Sequence, residues 1–246
     1  MRGFRGSKKA VALILLSILA LCWVTVYSSS LYQRRKGERF IADLKTFPFS
    51  TADFAQVRDF VLQHGGIPIQ DSSLTAPSVC SVRDCVFRIQ IGHPLSRPPA
   101  IRRLYRFFYP ILTSIGFRPW LIDSQFEVQN GVLMRSATTV GQVKRVDWRA
   151  YDGLLIMEYW IHTDRSTTPY SRPDDRGDRY TVTRPHVTGP PIEILESWVV
   201  QTPAAPMNRV FDIDLHCFTT IFRGCSDLGA LAPSAWQDRE AALKSR

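Results

Sequence analysis

Asp212, Asp214 and His216 occupy alternate positions in the run Phe-Asp-Ile-Asp-Leu-His from Phe211 to His216. In a strand, alternate side chains project from one face, so two carboxylates and an imidazole would converge there. Such a set offers an oxygen–nitrogen metal site or an acid and base for hydrolysis. The same alternation puts Phe211, Ile213 and Leu215 on the opposite face, which is the ordinary pattern of a half-buried strand with a solvated polar side. His162 and Asp164 form a second base–carboxylate pair. The chain has no G-x-S-x-G, no P-loop, no dinucleotide fingerprint and no H-E-x-x-H. The hydrolase expectation therefore rests on Asp212, Asp214 and His216 alone and ranks below a non-enzymatic one. No cofactor and no metal ligand set is assigned.

Four of the five cysteines fall in two close pairs, Cys80 and Cys85 in CSVRDC, and Cys217 and Cys225 in CFTTIFRGC. An even, paired set suits disulfides in an oxidising compartment. Zinc binding and unpaired thiols are the alternatives, and the second pair is spaced too widely for the usual zinc ligand pattern. Four cysteines allow three connectivities. Local pairing is the expectation, because Ser81 and Asp84 are good turn formers and Gly224 gives Cys225 the backbone freedom to close its loop. Cys22 follows Leu21, where a lipobox needs a small residue, and reads as an ordinary helix residue.

The formal charge of +9 is concentrated at one end. Residues 1–39 hold eight Lys and Arg against Glu38, which leaves 23 of the 31 basic and 21 of the 22 acidic residues for the remainder. These cations flank the uncharged run from Ala10 to Tyr27, where they serve topology and anionic lipid rather than a phosphate backbone. Nucleic acid is therefore excluded as a partner class. Extended to Tyr32, the run is long enough for the ~20 residues that cross a bilayer, with Trp23, Tyr27 and Tyr32 toward one end. A cleaved signal peptide is the rival reading. The length of the run and the cluster Arg34-Arg35-Lys36 after it favour an anchor. Basic residues tie across the two flanks, so the cysteines decide the orientation and put the domain outside the cytoplasm.

The elements that position these residues read as a mixture. Phe40 to Gly66 predicts a short helix, a turn at Pro48 and a helix from Thr51 to His64 capped by Ser50 or Thr51. Cys85 to Ile91 alternates as a strand. From Ile101 to Phe108, Arg102, Arg103 and Arg106 oppose Tyr105 and Phe108 on a helix that could lie on a membrane surface. Gln129-Asn130-Gly131 between alternating runs signals a hairpin. Gly153–His162 and Pro191–Val200 supply further strands, and the polar stretch between them, with Arg176-Gly177-Asp178, reads as a long hairpin loop. No heptad run stands out.

Two stretches, DLKTFPFSTADFAQVRDFVLQHGG with the C-x₄-C and its strand, and L-x-C-F-T-x-x-x-x-G-C from Leu215 to Cys225 with its continuation to Trp236, together resemble uncharacterised bacterial single-pass membrane-anchored proteins. The first is also loosely similar to small α+β modules of outer-membrane-assembly lipoproteins. The resemblance implies a bacterial cell envelope and carries no activity. The expected architecture is α+β: a transmembrane helix, then an antiparallel sheet packed with two or three helices. Residues 1–33 are expected to be a cytoplasmic tail and anchor that contributes nothing to the core, 34–48 a juxtamembrane segment, 49–236 the extracytoplasmic, periplasmic domain, and 237–246 a polar tail. The expected role is an envelope-interaction module whose partners are the lipid bilayer and another envelope protein.

Overall fold

The computed structural model describes residues 4–69, 80–81, 83–92, 116–146, 151–162, 180–183, 192–200, 207–221 and 224–244. Its fold is α+β. Helix α1 (Phe4–Thr46) is continuous over 43 residues. From Lys9 to Cys22 its turns are exposed, with Leu13, Leu16 and Leu21 at 64, 63 and 70% exposure. Its last turns are core, with Phe40, Ile41 and Leu44 buried. The short helix expected after Phe40 is thus the end of the apolar helix itself, because nothing between Ala10 and Thr46 breaks a helix except Gly37, which a helix tolerates at about 1 kcal/mol. The expectation that residues 1–33 contribute nothing to the core needs correction: Ser30 is 2% exposed against the domain, and Trp23 and Tyr27 are half-buried.

Pro48 and the turn that follows lead into α2 (Phe54–Gln63). Asp53, rather than Ser50 or Thr51, is the cap: its carboxylate accepts from the Gln56 amide and the Gln56 side chain accepts from the Asp53 amide, the reciprocal box that satisfies two free helix donors. Gly65, at φ +71°, ends it. Gly66 has no room for a side chain, since a Cβ there would sit 2.5 Å from Val61 and 2.7 Å from the Arg88 carbonyl oxygen.

Seven strands form one sheet among the described residues: β1 (Ile67–Ile69), β2 (Cys85–Gly92), β3 (Trp120–Gln129), β4 (Val132–Val146), β5 (Tyr151–His162), β6 (Tyr180–Thr183) and β7 (Ile192–Val200), in the order β1-β2-β3-β4-β5-β7-β6. β1 to β5 are an antiparallel meander. The β3–β4 turn is the expected Asn130-Gly131, with both residues at positive φ (52° and 81°), the primed geometry that matches strand twist. The last two strands depart from the expectation. β7 runs parallel to β5, and β6 pairs on its outer edge, so β5 and β7 are not two arms of a hairpin.

α1 and α2 cover one face of this sheet. Phe47 joins them to β3, with its ring 4.5 Å from Phe60 and 6.0 Å from Phe126. Burial of such aromatic rings dominates core energetics. The chain then forms α3 (Met207–Val210), a 3-10 turn (Leu215–Thr219), α4 (Leu228–Leu231) and α5 (Pro233–Lys244). α5 takes up most of the expected polar tail, and Asp238 on it accepts from Arg209 at 2.6 Å.

Candidate functional site

α1 meets the domain along one stripe. Trp23, Tyr27, Ser30, Arg34, Gly37, Ile41 and Leu44 are each buried or half-buried and are spaced four and three apart in turn, the spacing that keeps one helix face against a partner. Gly37 is the point of closest approach: a Cβ there would lie 2.8 Å from Ile122 Cδ1 and 3.1 Å from Leu215 Cδ1. One turn earlier, Arg34 reaches the 3-10 turn, with Nη1 3.1 Å from His216 Nδ1 and 2.5 Å from Thr219 Oγ1. Its other side faces Glu38 at 3.1 Å. At the next turn back, the Trp120 indole donates to Ser30 Oγ at 3.4 Å.

The loop closed by Cys217 and Cys225 caps this seam. The two Cα atoms are 4.8 Å apart, and those of Cys80 and Cys85 are 4.5 Å apart, so the structure has the two local disulfides the sequence led us to expect. Phe218 stacks on Trp120 at 5.2 Å. Gln142 of β4, 1% exposed, anchors both ends of the loop: Oε1 accepts from the Cys225 amide at 2.8 Å and Nε2 donates to the Phe218 carbonyl at 3.4 Å. Gly224 adopts φ +59°, and a Cβ there would come within 2.8 Å of Gln142 Oε1. Between α1 and this loop lies a shallow cleft, lined by Tyr27, Phe117, Arg118, Thr220 and Ile221 among others.

Asp212, Asp214 and His216 are not gathered into one site. Their segment is not a strand; it leaves α3 and enters the 3-10 turn, so alternation no longer aligns the side chains. Asp212 accepts from Ser234 Oγ at 2.6 Å, Asp214 caps the turn by accepting from the His216 amide at 2.8 Å, and His216 faces Arg34. No group of three metal-ligating side chains occurs among the described residues. Arg102, Arg103, Tyr105, Arg106 and Phe108 lie outside the described residues, as do Asp164 and Arg176-Gly177-Asp178. Trp120 is a core residue at 1% exposure, and Trp236 carries Arg239 over its ring at 4.8 Å.

Sequence reasoning missed Ser30, Arg34, Gly37 and Gln142. For the first three a signal existed in the four-and-three spacing from Trp23 to Leu44, obscured because small and polar residues hold the middle positions. For Gln142, one polar residue in a strand, there was none. No family model, curated protein or solved structure matches the chain.

Among the described residues one helix has the length and composition to cross a membrane, and both disulfides fit an oxidising, extracytoplasmic compartment.

Proposed function

We propose that the chain is a non-enzymatic, membrane-anchored interaction module of a bacterial envelope, with its α+β domain in the periplasm and another envelope protein as its partner. The observation that carries the reading is the single helix that begins as a bare apolar rod and ends as core, with Leu16 63% exposed and Leu44 fully buried on the same helix. Such a helix does more than tether. It fixes the direction in which the domain is presented, as suits a protein that holds a surface toward a partner. The separate structural engagements of Asp212, Asp214 and His216 weigh against the hydrolase alternative.

Paired reporter fusions at the C-terminus test the placement. Alkaline phosphatase should be active and green fluorescent protein dark; the reverse pattern would put the domain in the cytoplasm and overturn the reading. The hydrolase alternative has its own test: Asp214→Ser keeps the cap, so an activity that is present in the parent chain and lost in this folded variant would favour catalysis.

A further inference from the structure

We infer that the edge of the domain around Phe117, Thr220 and Ile221 is seated in the lipid headgroup layer, so that the domain rests on the membrane in one fixed orientation. The inference rests on the anchor reading and adds a lipid-contacting surface to it.

Length carries the argument. Within the uncharged run that starts at Ala10, the turns of α1 that touch nothing reach only to Cys22. At ~1.5 Å per residue these cover only ~20 Å, whereas the hydrocarbon core is ~30 Å thick. With Lys9 at one boundary, the opposite boundary falls near Ser29. If the helix slides one turn so that Arg5 marks the first boundary, the second still falls near Thr25. In either case Trp23 lies at or below the boundary, and so does whatever packs on it. That partner is Phe117, whose ring is 5.8 Å from Trp23 and 6.4 Å from Tyr27. Trp23 and Tyr27 stack at 5.3 Å, an aromatic pair at the depth where such rings favour the interface.

The sheet is aimed the same way. Ser30 and Gly37 of α1, and Phe47 just past its end, meet Trp120, Ile122 and Phe126 of β3 in turn, so β3 runs alongside α1 in the same sense. The start of β3 therefore faces the bilayer, and the Asn130-Gly131 turn faces away. β4 continues past Gln142, the partner of Trp120, to Val146, a further ~13 Å toward the membrane. The cleft beside Tyr27 and Ile221 opens at the same level.

Nitroxide labels on the full chain test the seating. In a Cys22→Ser background, Val24→Cys, Ile221→Cys and Val132→Cys are labelled one at a time. Each is reconstituted in vesicles of phosphatidylcholine and phosphatidylglycerol, and collisions with oxygen and with a water-soluble nickel complex are compared. Labels at residues 24 and 221 should lose nickel accessibility, while the one at residue 132 keeps it. Thr220→Cys repeats the second reading without removing Ile221. If residue 24 is shielded but residues 220 and 221 are as accessible as 132, the domain stands clear of the lipid and the inference fails while the anchor survives. If residue 24 is itself accessible, the anchor reading fails and takes the inference with it.

Discussion

Gly37 of α1 and Ile122 of β3 are packed so closely that a methyl group added to the glycine would lie 2.8 Å from the Ile122 Cδ1 atom. The contact joins the helix that leaves the domain to β3, the central strand of the five-stranded antiparallel meander, and its tightness sets how far α1 stands from the sheet. Gly37→Val should cost ~1–3 kcal/mol, because overpacking forces the helix or Ile122 to move. Gly37→Ala should cost less, since the nearest atom is the far end of a side chain and alanine favours the helix. Denaturant melts of the protein in detergent compare the two; a valine variant as stable as the parent would show that the helix does not bear on the sheet here.

Truncation within α1 should reveal two boundaries. Removing residues 1–22 takes away the exposed turns from Lys9 to Cys22 and should leave a folded, soluble domain. Removing residues 1–33 also deletes Tyr27 and Ser30, and with them the cover over Phe117 and the partner of the Trp120 indole. The shorter protein should therefore melt at a lower temperature than the longer one. Equal melting temperatures by circular dichroism would return residues 23–33 to the role of a simple tether.

Gln142→Leu should destabilise by ~1–3 kcal/mol, because it leaves the Cys225 amide buried without its acceptor at 2.8 Å. The Cys217–Cys225 bond, closing a short loop, should contribute ~2–3 kcal/mol. Reductant ought to lower the melting temperature of the parent, and peptide mapping without reduction should recover 80–85 and 217–225 links. Crossed links or four free thiols in the mapped protein would contradict the structure.

His64 gives the domain a defined response to acid. It is 6% exposed against the rings of Phe40 and Phe60, and burial holds its pKa below the ordinary 6.5. Lys36 pushes the same way, while Asp43, 3.1 Å from Nε2, opposes both. Below pH ~6.5 the unfolded chain takes up a proton that the folded chain resists, so stability is full above that pH and falls as the pH drops through the lowered folded value. Stability measured from pH 7.5 down to 5 should decline more steeply in the parent than in His64→Phe, and parallel slopes would remove His64 as the cause.

The sequence by itself determined the features whose chemistry is complete within a few residues: the long apolar helix, the Asn130-Gly131 turn, the strands with strict alternation, and the two local cysteine pairs. Asp53 with Gln56 also belonged to this class, and the cap was misplaced by only two or three residues because Ser50 and Thr51 offer the same oxygen. Tertiary structure alone decided what lies opposite. Ser30, Arg34 and Gly37 look like the solvated end of an anchor until Trp120, His216 and Ile122 are placed across from them. The parallel pairing of β7 with β5 joins strands whose register no local pattern records. Asp212, Asp214 and His216 read as one face only on the assumption of a strand, and their separation follows from the backbone turning at α3 and again at the 3-10 turn. The physical reason is common to all three: side-chain types set what a residue can bond, but burial and partner are fixed by contacts distant in the chain, whose identities the neighbouring residues do not encode.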